Sequence, residues 1–230
     1  MNLMPLDYVK DWTLMDITLA GNIRLEAPAH LDGGGTLYKD DFVNIIRQTG
    51  KPSYKRAFEW CSGHGVIGFE LLGHGLCEHI VFSDYYDVAI DNCYQTAKSN
   101  SRVEQVTGYT SSTINGLPES EVWDLVVGNP PWNFSKQKAL DGLGKEFNPD
   151  NIPNMLRILV DDDYNIHREF FRNIRSHLTD DADVYIIEGS RDPAFIIMAL
   201  QGGLQLKNIY DAPLSGKYLK DGGIFHFKPA

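Results

Sequence analysis

Asn129-Pro130-Pro131-Trp132 places an amide, two residues of fixed backbone and a large flat ring side by side. The amide oxygen of Asn129 accepts hydrogen bonds. Each proline holds φ near −65° and so fixes the direction of the carbonyls around it. The indole of Trp132 offers a wall for a planar group. The four residues follow Asp124–Gly128, "DLVVG", whose apolar centre has the continuous β-branched character of a strand buried on both faces. A second constellation lies upstream. Glu59 and Cys61 precede Gly63-His64-Gly65-Val66-Ile67-Gly68, a literal GxGxxG, and Asp84 follows about twenty residues on. That spacing fits a dinucleotide site, in which glycines bring the backbone close to a diphosphate. Glu59 argues against that ligand, because a carboxylate at the end of the preceding strand repels a diphosphate and suits a positively charged group. On this signal alone, a glycine turn that merely joins strand to helix stays open, as does a proline turn with a core tryptophan at Asn129–Trp132.

The rest of the chain must position these groups. At 230 residues with 43% hydrophobic and 23% charged residues, it suits one α/β domain with at most one insertion. Apolar runs at Arg56–Trp60, Ile80–Ser83, Glu104–Tyr109, Leu125–Val127 and Ala182–Gly189 predict five strands, and Leu204–Tyr210 and Ile224–Phe227 supply two more. Helical spacing falls between them, at 65–72, at Val88, Ala89, Cys93 and Ala97, at 163–178, and after Pro193. Strands alternating with helices predict a doubly wound, mostly parallel sheet, with ligands at the carboxyl ends of the strands. Near the start, Trp12, Leu14, Ile17 and Leu19 show some alternation, and Asp40–Gln48 predicts a short helix with acids at its positive end. No apolar run approaches the roughly 20 residues of a membrane span, and the first residues lack the pattern of a signal peptide. Cys61, Cys77 and Cys93 are odd in number and lack CxxC spacing, which predicts a reducing, cytoplasmic compartment without a metal site.

Taken together, "EWCSGHG", Asp84 and "NPPW" resemble the class I methyltransferases that use S-adenosylmethionine, and "NPPW" resembles the [DN]PP[YFW] signature of amino-methyltransferases. Those include N6-adenine, guanine-N2 and glutamine-N5 enzymes, and an asparagine in first place does not choose among them. The resemblance implies a Rossmann-like, seven-stranded, mostly parallel sheet over residues 51–230, with an insertion or lid at 133–165 and an N-terminal extension and helix at 1–50. It implies that Glu59, Cys61, Gly63 and Gly65 line the methionine part of the cofactor, although Cys61 replaces the first glycine of the motif. Asp84 would accept the ribose hydroxyls, with a helix N-cap as its alternative role. Ser111 and Ser112 stand where the family often has an acidic or polar residue against adenine. Thr36, after "LDGGG", would close over the cofactor. Asn129 would sit beside the reacting centre and, with the Pro130 carbonyl, hold the two hydrogens of an acceptor -NH2 so that its nitrogen pyramidalises. Pro131 would stiffen the turn and Trp132 would stack on the acceptor.

His64 is expected to be an exposed loop position rather than a base. Lys136, Lys138 and Lys145 would grip an anion or simply be solvated, and Asp161–Asp163 should cap the following helix rather than bind a metal. The formal charge of −10, with 31 acids against 21 bases, favours a protein side chain or small molecule as acceptor over nucleic acid. No membrane partner is expected, and no feature fixes an oligomeric state. An NAD-dependent oxidoreductase is the alternative from another class, and a binding-only relative a third.

Overall fold

The computed structural model describes residues 14–28, 34–133, 160–212 and 221–230. Elements in chain order are β1 (Leu14–Thr18), β2 (Arg24–Pro28), α1 (Gly35–Arg47), β3 (Tyr54–Trp60), α2 (Val66–Gly73), β4 (Cys77–Asp84), α3 (Asp87–Ser99), β5 (Val106–Thr110), β6 (Trp123–Gly128), α4 (Asn165–Asn173), β7 (Leu178–Glu188), α5 (Pro193–Gln201), β8 (Leu204–Tyr210) and β9 (Gly223–Pro229). Seven strands form one sheet in the order β5-β4-β3-β6-β7-β9-β8. The first five of these run parallel, and β9 pairs antiparallel with both β7 and β8.

The central strands read as continuous apolar runs because helices cover both faces. On one face Ala57, Ile80, Leu125 and Tyr185 pack with α1, α2 and α3. On the other, Phe58, Val81, Val126 and Ile186 pack with Phe170, Phe171 and Phe195 from α4 and α5. Asp124, which opens "DLVVG", accepts from the Lys55 and Arg56 backbone N–H groups at 2.8 and 2.9 Å, so its carboxylate fixes β6 against the start of β3.

The N-terminal segment shares this core. Leu25, Ala27, Tyr38 and Phe42 belong to the same buried cluster as α2 and α3. In the β1–β2 hairpin Leu14 points outward, 71% exposed, while Met15 and Ile17 face the core. Helix α1 starts at Gly35, a turn before the expected Asp40, so the acids are not at its positive end and Asp41 is fully buried. The extra turn forms because Tyr38 finds a buried site.

The far end of the sheet is tied by a buried carboxylate. Asp183, 1% exposed, accepts from the Tyr54 hydroxyl at 2.9 Å and His226 Nε2 at 2.7 Å. Lys51 and Lys228 add ammonium groups at 2.9 and 3.2 Å. Burial pushes this carboxyl up, but His226, Lys51 and Tyr54 more than offset it and hold it below the usual range. Asp183→Ala removes the acceptor all of them share. Breaking a buried pair costs about 3–5 kcal/mol, and the lysines can reach water, so we expect about 3 kcal/mol, or roughly 6–12 °C in Tm for a chain of this size. A depressed folded pKa contributes stability above the unfolded value of about 3.9 and loses it as pH falls, so the Tm gap should narrow below about pH 4. Calorimetric scans at pH 7 and pH 3 check both, and an equal gap at the two would refute the assignment.

Candidate active site

Parallel register brings the strand ends to one edge. Trp60 stands opposite Ser83 on one side and Gly128 on the other, Gly128 opposite Ile186, and Asp84 opposite Thr110. The loop after β3, the tip of β4, Ser111, the Asn129–Trp132 turn and Gly189 therefore lie along this edge, where such sheets bind ligands.

Each glycine of the loop has a geometric reason. Gly63 and Gly65 have φ of +50° and +76°, the left-handed region open to glycine. A Cβ on Gly65 would come within 2.6 Å of the Phe82 ring, and one on Gly68 within 2.6 Å of both Phe82 and Glu59 Oε2. Cys61 shares the left-handed conformation at φ +53°, so the backbone that glycine would supply is kept with a side chain attached. Burial, then Asp84, Asp161 and Glu59, push its thiol well above the ordinary value, which disfavours the thiolate.

Glu59 is 2% exposed, and its Oε2 accepts from the Gly68 N–H at 2.7 Å. It thus caps the third residue of α2 from the neighbouring strand. Asp84 accepts from the Gly63 N–H at 2.8 Å and the Tyr86 N–H at 3.0 Å, and the Tyr85 amide also favours its charged form. Its carboxyl is raised by burial, against the pull of the Tyr86 and Gly63 amides. Asp84 is not the α3 N-cap, which is Tyr86. The Ser111 hydroxyl donates to the Thr113 carbonyl at 2.8 Å within a turn, and Ser112 is exposed.

Asn129 and Trp132 are half-buried and Pro130 is buried, with Pro131 between them half-buried. Gly34, at φ +98°, begins α1 against them: a Cβ there would lie 3.5 Å from Asn129 Nδ2. The Tyr38 and Trp132 ring centroids are 6.1 Å apart at 51°. Thr36, two residues from Gly34 and from Tyr38, directs its hydroxyl to Met15 Sδ at 3.4 Å. Trp132 is braced from behind. Its carbonyl accepts from the Asp161 N–H at 2.9 Å, and a Cβ on Gly189 would fall 2.5 Å from its ring.

His64 departs from expectation. It is fully buried, with Nε2 2.8 Å from the Pro28 carbonyl, because the β1–β2 hairpin covers the loop. Of the three acids before α4, Asp161 does the capping, accepting from the Ile166 and His167 N–H groups. No metal-binding cluster occurs among the described residues. Lys136, Lys138 and Lys145 lie outside them. Sequence reading missed Tyr38, Gly189, His167 and Glu188, the last three of which carry no local motif. Tyr38 alone had a local signal, two residues past Thr36.

The sequence matches no protein-family model and no curated protein. Solved structures do match. The T. thermophilus 16S rRNA N2 G1207 methyltransferase RsmC, in complex with AdoMet and guanosine, has a TM-score of 0.61 at 11% identity, over 95% of this chain and 51% of that one. The ribosomal protein L11 methylase of Lactobacillus delbrueckii subsp. bulgaricus gives 0.57 at 12%, over 84% and 78%. TrmN from Thermus thermophilus gives 0.56 at 14%, over 82% and 48%. The chain spans about half the length of RsmC and TrmN. Its fold is the Rossmann-like fold of class I methyltransferases.

Cys61→Gly removes a left-handed penalty of about 1–2 kcal/mol and adds about 0.4–1 kcal/mol of freedom to the unfolded chain. We expect stability equal to wild type or higher by up to about 1.6 kcal/mol. Cys61→Val, stiff at χ1, should lose about 1–3 kcal/mol. Urea unfolding measures both, and equal midpoints would show that φ at residue 61 is no constraint.

Proposed function

We propose that the chain is an S-adenosylmethionine-dependent N-methyltransferase acting on a planar nitrogen, of an amide or a heteroaromatic amine. The observation that carries this is one juxtaposition. Asn129, at the tip of β6, shares a sheet edge with the glycine loop and with Asp84, and Trp132 and Tyr38 stand beside it.

The residues present suit this cofactor. Asp84 accepts only, as a diol requires, and Glu59 brings a second negative charge near an ammonium and a sulfonium. A diphosphate is disfavoured twice over. The loop from Glu59 to Gly65 holds no lysine or arginine. The Gly68 N–H, at the helix end that would attract an anion, is already taken by Glu59. That weighs against an NAD-dependent oxidoreductase. Cofactor contacts are assigned to the main chain at Cys61, Gly63 and Gly65, to Asp84, and at the margins to Thr36, Ser111, Ser112 and Asn129.

Bound S-adenosylmethionine would supply an electrophilic methyl group on a sulfonium. The chain's own part is to hold the acceptor. Asn129 Oδ1 and the Pro130 carbonyl each accept one N–H, so the nitrogen lone pair leaves conjugation and faces the methyl. Pro131 keeps that carbonyl aimed, and Trp132 stacks on the acceptor plane. The product nitrogen is acidic and loses its proton to water, so no strong base is needed. An intact Asn129–Trp132 turn argues against a binding-only relative.

Net charge favours a protein side chain or a small molecule as acceptor. The likeness to RsmC, spanning 95% of this chain, supports a second reading, a base amino group in RNA. Calorimetry with S-adenosylhomocysteine against NADH tests the class, and binding of NADH alone would sink it. Methyl-labelled cofactor added to cell extract, with label sought in RNA, protein and small molecules, separates the acceptors. Asn129→Ala should keep S-adenosylhomocysteine affinity and lower the labelling rate about 10²–10³-fold, as for a lost oxyanion donor. Asp84→Ala should instead weaken that affinity. Unchanged labelling in the first variant, or unchanged binding in the second, would overturn the respective role.

A further inference from the structure

Behind the Trp132 turn lie three fully buried titratable side chains that the proposed reaction does not use. Asp161, His167 and Glu188 are at most 1% exposed. They come from the segment before α4, from α4 itself and from the end of β7. Asp161 Oδ2 is 2.6 Å from His167 Nδ1, and this carboxylate also accepts from two backbone N–H groups of α4. A carboxylate accepts and does not donate, so the imidazole proton sits on Nδ1 and Nε2 carries a lone pair. That nitrogen is 3.6 Å from Glu188 Oε2, beyond a hydrogen bond, and neither it nor either Glu188 oxygen has a well-formed partner among the described residues.

The same residues hold Trp132. Asp161 donates its N–H to the Trp132 carbonyl, and Gly189, next to Glu188, supports the indole ring. The backbone N–H groups of Asn133, Gly189 and Ser190 face the Glu188 carboxyl without closing good hydrogen bonds to it. Glu188 therefore stands between two sets of partners, the His167 lone pair on one side and the Asn133 amide, adjacent in sequence to Trp132, on the other.

We propose that Asp161, His167 and Glu188 form a buried proton-sharing relay whose protonation state positions Trp132 at the end of the Asn129–Trp132 turn. Protonated, Glu188 donates its O–H to His167 Nε2 and leaves the Asn133 amide alone. When the proton passes to solvent, the carboxylate turns its charge on the Asn133, Gly189 and Ser190 N–H groups, since charge-assisted bonds to an anion are roughly twice as strong as neutral ones. Asn133 is drawn in, and Trp132 moves with it. The titratable neighbours among the described residues are Asp161, which opposes ionisation of Glu188, His167, the Cys61 thiol, which feels the Asp161 charge, and Tyr164, whose hydroxyl is 3.4 Å from Asp192 and also meets Asn133 and Ser190. No lysine or arginine pairs with Glu188 among the described residues. Burial, then Asp161, push the Glu188 carboxyl up to about 8, and burial lowers His167, so the neutral acid and neutral imidazole are the forms at pH 7.

The relevance to an acceptor rests on the methyltransferase reading, but the relay is testable without it. The probe is the indole N–H resonance of Trp132 in the full chain, assigned by Trp132→Phe and followed by NMR from pH 5 to 9. It should move in one step centred near pH 8. In Glu188→Gln, which keeps a donor towards His167 and cannot ionise, it should stay at the low-pH position throughout. Nitrogen-15 spectra of the histidine rings should show His167 as the Nδ1–H tautomer. A Trp132 resonance that is flat in wild type, or that steps identically in Glu188→Gln, overturns the proposal, as does an Nε2–H tautomer. The wild-type titration decides the matter even if the variant does not fold. Binding of S-adenosylhomocysteine, measured on the same samples, tests the cofactor reading separately.

Discussion

The hydrogen bond from the Gly63 N–H to Asp84 Oδ2, 2.8 Å long, joins the loop after β3 to the tip of β4, and the rest of the edge is organised around it. It needs Gly63 at positive φ, which turns the amide towards the neighbouring strand. It also needs the parallel register that sets Trp60 beside Ser83. The same register places Gly128 on the other side of Trp60, so Asn129 leaves the sheet one strand from the loop. Gly65 and Gly68 then let α2 settle on Phe82, and Glu59 closes the helix end from beneath. A side chain at Gly65 or Gly68 would push α2 off the sheet and carry the loop with it.

What could be read from sequence is what depends on neighbours along the chain. All seven sheet strands correspond to apolar runs, with ends that differ by a few residues. The glycine loop, Asp84 and the Asn129–Trp132 turn announced themselves because each needs rare residue types in contiguous order. Groups brought together by folding gave no such signal. His64 is buried by the Pro28 carbonyl, 36 residues earlier. Glu59 reads as a ligand acid, and the Gly68 amide that also bonds it gives no sign in the sequence. Helix α1 begins ahead of its acids because Tyr38 extends it for tertiary reasons, its ring meeting Trp132 from the far side of the sequence. His167 and Glu188 are 21 residues apart, with β7 between them, and no local pattern links them.

The buried acids show why the relay stands out from the ordinary architecture. Asp183 sits among two lysines and a histidine. Glu121 receives two guanidinium bonds from Arg56, and bonds from Tyr109 and Trp123, which overcome the upward push of burial and hold its carboxyl low. Glu70 has Lys39 and the Ala20 N–H. Each of these acids is compensated, and each joins distant strands or helices. Among the described residues Glu188 has no cation and no closed hydrogen bond, so its ionisation there is a cost to the fold. A raised folded pKa means stability falls as pH climbs from the unfolded value of about 4.3 towards the folded one, opposite in sign to the contribution of Asp183. An apolar side chain of similar size would remove that cost. Glu188 therefore differs in kind from Asp183, Glu121 and Glu70: its ionisation is opposed by the fold rather than used by it, and it adjoins Gly189, on which the Trp132 ring packs.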